Sequence, residues 1–337
     1  MTERLSAKIA NIAFVCAILV VTIHATRPLS SDLAGRVLWN LTRGGVSRIA
    51  VPFFFVFSGY FLARHFGKPG WWGEQMGRRV RTLLVPYCIW SAIVFIQKVL
   101  VDGVAPWYDI RTLRGFMKVT GLNLGSMPLF GAMWYVRALL LFALVSPVLF
   151  LVVRKTRGWV LPVLFLAYAI LAPGEPPAWL MFPKGLTEFF RAGFSLEGLF
   201  FFCLGAHLFW HPVEIRRGVG LWCGVVGGLL VVLRLVCVFK GWPMPICLRT
   251  LFIPTLMVAV WAYAPSSRWP AALLAATFPI YVMHGLVVKL TRVYIDLPHT
   301  SVFWIAQIAL AVLVAVCFSW LLHRFAPRVA SVLWGGR

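Results

Sequence analysis

Apolar stretches of membrane-spanning length recur along almost the whole chain, and that repetition decides the class of fold before any motif is considered. A helix that crosses a bilayer needs about 20 mostly apolar residues. Such stretches fall near 8–26, 45–65, 80–101, 129–152, 158–173, 195–211, 217–239, 247–264, 269–291 and 301–323, the fifth and sixth being short. They are continuous, without the period-two alternation of a membrane β-barrel. Hydrophobic residues make up 61% of the chain and charged residues 12%, which excludes an ordinary soluble domain. The reading is an all-α polytopic transmembrane helical bundle of about ten spans. It is a single integral membrane domain over residues 1–337, with no stretch left for a separate soluble domain.

The formal net charge of +22 invites a nucleic-acid reading, but the basic residues sit mostly in short loops between apolar runs. That distribution encodes orientation in a membrane and argues against a nucleic-acid partner. The dense clusters Arg78-Arg79-Val80-Arg81, Arg154-Lys155-Thr156-Arg157 and Arg216-Arg217 fall on one side of the alternation. Both termini are therefore expected in the cytoplasm, with the loop near 102–128 facing outward. The run Ile9 to Ile23 follows Arg4 and Lys8 but lacks a small-residue cleavage site, so it reads as a retained first span. The seven cysteines form no C-x-x-C pair and read as small buried hydrophobes. The seven histidines lack metal-ligand spacing, and no metal is expected.

Polar groups inside hydrocarbon are costly, so each is a candidate for function. His24, Arg48, Arg137, Glu197, Arg234, Arg249 and His284 are those groups. In the orientation above they come from seven spans yet share an outer depth range, as a polar cavity opening toward the outer face requires. Each also has a plainer reading. Pro52 and Ser58-Gly59, in the run from Arg48 to Tyr60, suit a kink and close helix packing. Trp134 and Tyr135 fit an interfacial aromatic belt, and Arg78, Arg79 and Arg81 fit cytoplasmic anchoring. Guanidinium forks in such a cluster also match phosphate oxygens. His24 closes an apolar run relieved only by Thr22, and histidine is the side chain suited to proton transfer near neutrality. His284, after Phe278-Pro279-Ile280-Tyr281-Val282-Met283, invites the same reading.

The order of these segments resembles the acyltransferase-3 family of bacterial membrane acyltransferases. The matching elements begin with His24 late in the first span and Val51-Pro52-Phe53-Phe54-Phe55-Val56-Phe57-Ser58-Gly59-Tyr60. The basic stretch ending in Pro86-Tyr87, Met133-Trp134-Tyr135, Phe201-Phe202-Cys203-Leu204-Gly205-Ala206 and the segment ending in His284 follow. The resemblance implies ten or so helices and transfer of an acyl group, often acetyl, from cytoplasmic acyl-coenzyme A. The implied acceptor is a carbohydrate or lipid-linked sugar at the extracytoplasmic face of a bacterial inner membrane. Arg78 and Arg81 fit the family's R-x-x-R pattern. The family often has a basic residue eleven positions before the histidine. Here that position is Ala13, with Arg48 or Arg137 as the candidates to supply the charge.

The expected enzyme is a membrane-bound O-acyltransferase, with acyl-coenzyme A (acetyl-coenzyme A in the family's common case) as donor. His24 is expected to act as general base. Arg137 and Tyr135 are expected to donate to the oxyanion. Glu197 is assigned to orienting His24 or binding sugar hydroxyls. Arg78, Arg79 and Arg81 are expected to hold coenzyme A phosphates. Arg48, Trp134, Arg234, Arg249 and His284 are assigned to the acceptor, and membrane lipid surrounds the whole. A transporter of a small polar solute such as an amino acid is the rival reading, because it too uses polar groups at mid-membrane. An assembly subunit is the third.

Overall fold

The computed structural model describes residues 2–29, 31–102, 128, 131–171 and 194–336, which are helical with no strand among them. In chain order the helices are α1 (Glu3–His24), α2 (Leu33–Arg43), α3 (Ala50–Ala63), α4 (Trp71–Arg79), α5 (Val85–Asp102), α6 (Trp134–Lys155) and α7 (Val160–Leu171). There follow α8 (Leu196–Trp210), α9 (Arg217–Lys240), α10 (Ile246–Thr250), α11 (Phe252–Tyr263), α12 (Ala271–Ala275), α13 (Thr277–Tyr294), α14 (Ser301–Phe325) and α15 (Pro327–Trp334). A 3₁₀ turn over Val46–Ile49 leads into α3, and a π-helical stretch over Val80–Leu84 joins α4 to α5.

Six helical stretches are long and apolar enough to cross a membrane: Glu3–His24, Leu33–Ala63, Trp71–Val101, Gly131–Lys155, Arg217–Lys240 and Ser301–Phe325. α7, α8 and α11 are apolar but have only 12, 15 and 12 residues. At a rise of about 1.5 Å per residue these fall short of a hydrocarbon core of about 30 Å. The described residues thus carry six spans by length and composition, and the expectation of about ten goes beyond them. Most of the loop near 102–128 lies outside the described residues.

Proline explains where apolar runs break. The run 247–264 divides between α10 and α11, where Pro254 has no N–H to return to the Thr250 carbonyl. The run 269–291 divides at Ala276, and Pro279 cannot donate to Ala275. Pro52 sits in the first turn of α3, where no helical donor is needed.

The helices form two compact units, Met1–Phe54 with Val213–Arg324 and Phe55–Pro212 with Phe325–Arg337. In the first, α9 and α11 run antiparallel on a seam of small residues. A Cβ on Gly227 would lie 2.8 Å from Leu256 Cδ2, and one on Gly224 3.4 Å from Ala259 Cβ. α1 lies beside α13. At one end the buried Asn11 donates Nδ2 to the carbonyls of Pro265 (3.1 Å) and Ser267 (2.8 Å). Lys8 stands over the Trp261 ring at 4.9 Å, and Tyr263 Oη donates to the Arg217 carbonyl at 3.1 Å, which places Lys8 and Arg217 at this end. At the other end the Asp32 carboxylate accepts from Gly35 N (2.7 Å) and Ser301 N (2.6 Å), capping α2 and tethering the start of α14.

In the second unit α3 and α8 meet backbone to backbone. A Cβ on Gly59 would collide with the Phe202 carbonyl, and one on Gly205 with the Val56 carbonyl. The close approach expected from Ser58-Gly59 is thus present and reciprocal. Phe55, Phe142, Phe150 and Phe202 are buried around this contact. The π stretch is marked by a hydrogen bond from Val85 N–H to the carbonyl of Val80, five residues back. Pro86 has no N–H to return to the Thr82 carbonyl four residues back, and the backbone of Gly335, at φ 67°, closes against Thr82. Trp90 stacks on Trp334 with centroids 5.7 Å apart and donates to the Leu333 carbonyl at 3.3 Å, holding α15 on α5. Cys16, Cys203 and Cys237 are buried as expected, whereas Cys88 and Cys317 lie exposed, because they fall on outward helix faces.

Candidate active site

His24 is the last residue of α1, which ends because Ala25 turns extended before Pro28. The structure sets His24 beside His284, with ring centroids 5.0 Å apart and planes tilted by 42°. His284 is fully buried in α13, while His24 keeps exposed surface. His284 Nδ1 lies 2.7 Å from the Tyr281 carbonyl and 3.3 Å from that of Ile280. A carbonyl oxygen only accepts, so Nδ1 carries the proton. In the neutral ring the basic lone pair of His284 is then on Nε2.

A polar collar that the sequence reading passed over fixes this end of α1. Thr22 Oγ1 and Ser47 Oγ share a hydrogen bond of 2.6 Å. The buried Gln307 accepts from Thr26 N–H at 2.6 Å through Oε1 and donates Nε2 to Thr291 Oγ1 at 2.7 Å. The sequence signal for Gln307 and Asn11 is that an amide within an apolar run is costly unless bonded.

The other first-unit candidates occupy the same end. Arg234 Nη1 donates to the Leu248 carbonyl at 3.3 Å, and its guanidinium stands over Phe252 at 5.3 Å. Arg249 Nε donates to the Met244 carbonyl at 2.8 Å. Both brace the corner between α9 and α11. Arg48 is exposed in the 3₁₀ turn.

The second unit holds the remaining candidates. Arg137 is buried in α6, with Tyr87 in its electrostatic reach. Tyr135 Oη and Ser58 Oγ lie 3.4 Å apart, with the Phe55 ring 4.8 Å from that of Tyr135. Trp134 faces Phe55 at 6.1 Å. The basic cluster is split by the helix. Arg78 and Arg81 are exposed, whereas Arg79 turns inward within electrostatic reach of Tyr135. Glu197, in the first turn of α8, accepts from Tyr168 Oη at 3.4 Å. Among the described residues no three His, Cys, Asp or Glu side chains stand together as metal ligands would.

Outside the spans, His65 is held below the usual histidine range by desolvation, with Arg64, Lys68 and Arg78 adding to the effect and Glu74 opposing it. It belongs to the basic surface around α4.

Residues 12–324 match the family described as an acyltransferase domain. The chain is also similar to the succinoglycan biosynthesis protein ExoH of Rhizobium meliloti, at 24% identity over 315 residues, covering 86% of this chain and 80% of that protein. No solved structure matches it.

Proposed function

Since this chain belongs to the acyltransferase-3 family and is a membrane acyltransferase, we propose that it is an O-acyltransferase. It moves an acyl group, acetyl in the simplest case, from cytoplasmic acyl-coenzyme A to a hydroxyl of a cell-envelope glycan or lipid-linked sugar. The similarity to a protein of succinoglycan biosynthesis supports a polysaccharide acceptor. The observation that carries the reading is the His24–His284 pair, an exposed imidazole against a buried one of defined tautomer.

The hydroxyl proton passes to an imidazole nitrogen of His24 as the oxygen bonds to the thioester carbonyl carbon. The carbon–sulfur bond then breaks, and the departing thiolate takes a proton to leave an ester and free coenzyme A. Tyr135 and Arg137 carry hydrogen-bond donors of the kind that stabilise an oxyanion. The exposed Arg78 and Arg81 suit the coenzyme A phosphates. The protein acts in the inner membrane with both termini cytoplasmic.

The test is coenzyme A release from acetyl-coenzyme A by the purified full-length protein, with mass spectrometry of envelope glycans from cells with and without it. His24→Gln keeps the size of the side chain but not its basicity, and turnover should fall by about 10²–10⁴. Wild-type turnover in His24→Gln would reduce His24 to a hydrogen-bonding role. Solute flux without coenzyme A release would favour a transporter.

A further inference from the structure

Three guanidinium groups converge beside His24, and among the described residues none of them is paired with a carboxylate. Arg27 and Arg43 lie against the Trp39 ring, 4.9 and 4.6 Å from its centroid. Arg27 and Arg48 are both within electrostatic reach of Arg43, and Arg43 is within reach of His24. All three arginines are exposed. The acidic residues of this unit are Glu3, Asp32, Glu214 and Asp296. Glu3 and Glu214 precede or begin helices at the opposite end, and Asp32 commits its oxygens to Gly35 and Ser301. Asp296 is exposed in the loop before α14. Among the described residues, the Nε1–H of Trp39, the ring both guanidiniums lie against, is buried with no acceptor. In the orientation proposed above this is the outer end, where orientation calls for few basic residues.

We propose that Arg27, Arg43 and Arg48 form an anion site beside His24, and that the acceptor carries an oxyanion held there while its hydroxyl meets the imidazole. The proposal rests on the reading of His24 as the base on the acceptor side. Guanidinium forks pair with phosphate and carboxylate alike, and cation–π contact with Trp39 holds two of them in place before the ligand arrives. The shared chemistry has two sources: the phosphates of a lipid carrier, or the carboxylates of an acidic sugar chain.

Binding to the full-length protein in nanodiscs of zwitterionic lipid separates them. The probes are inorganic pyrophosphate, an oligogalacturonate and a neutral maltooligosaccharide of matching length. One of the two anions should bind, more weakly as salt rises, and the neutral probe should not compete. Pyrophosphate binding identifies the lipid carrier, and oligogalacturonate binding the acidic sugar. Arg43→Gln should weaken the anion by about tenfold, as expected for one charge-assisted hydrogen bond. Unchanged acetyl-coenzyme A binding in that variant would show that the fold is intact. Three results overturn the proposal: neither anion binds the wild-type protein, the triple Gln variant binds as well as wild type, or anionic phospholipid in the nanodisc displaces the probe entirely. Acyl transfer to a neutral glycan that is indifferent to the three arginines would sink the anion site and leave the enzymatic reading standing. Anion binding without any acyl transfer would do the reverse.

Discussion

His284 has a single basic nitrogen in its neutral form, because the Tyr281 carbonyl fixes the proton on the other. Two imidazoles with centroids 5.0 Å apart should act as a unit. His284→Gln is therefore expected to lower kcat by about tenfold or more and alter the pH–rate profile, with the acceptor KM nearly unchanged. The double variant with His24→Gln should be no worse than His24→Gln alone, since residues acting together are not additive. Multiplying losses in a kinetic cycle would show the two to be independent. Asp32 gives a pH-dependent prediction. The Gly35 and Ser301 N–H groups hold its carboxyl below the usual range. Its contribution to stability is then present above its unfolded value of about 3.9 and is lost as pH falls through the lower folded value. Asp32→Ala should melt earlier than wild type at neutral pH, and the gap should close in acid. A constant gap would mean that the carboxylate charge is irrelevant. At this scale the ionisable groups were legible, because their cost in hydrocarbon is large. That His24 and His284 are neighbours was not, because nothing in either segment states the register of α1 against α13.

At the scale of elements, the presence of helices was readable and their edges were not. α2 carries Arg36, Asn40 and Arg43, which lower its hydropathy, so hydropathy alone places the start of the second span at 45, whereas the helical stretch begins at Leu33. Likewise Glu74, Arg78 and Arg79 hid the continuation of the third stretch back to Trp71. The glycine seam of α9 went unread because Gly220, Gly224 and Gly227 sit among residues that look uniformly apolar. The α3–α8 contact was legible in Gly59 and predicts a large effect. Gly59→Leu or Gly205→Leu should destabilise the protein by about 1–3 kcal/mol, because a side chain must displace backbone. Thermal unfolding in detergent would measure it, with Gly218→Ala, which meets nothing within 4 Å, as the neutral control. Equal melting temperatures for all three would contradict the seam.

The whole molecule divides in a way no composition shift announces, since the boundary at Phe54 and Phe55 falls inside α3. The first unit has two chemically distinct ends, and a topology experiment follows. Ser267→Cys, at the end bearing Lys8 and Arg217, should be labelled only from the cytoplasm, and His299→Cys only from outside. Labelling of both from one side would defeat the orientation. The division also sets a timetable for biosynthesis. Thr26 waits for Gln307, 281 residues later, and His24 waits similarly for His284. At a synthesis rate of about 5–20 residues per second, the delay is roughly 14–56 s. Throughout it, the arginine-rich end of α1 and α2 sits in the membrane without the helices that complete it. The proposed base and its neighbouring imidazole are therefore separated in time as well as in sequence, and His24 meets no partner ring until α13 has been made.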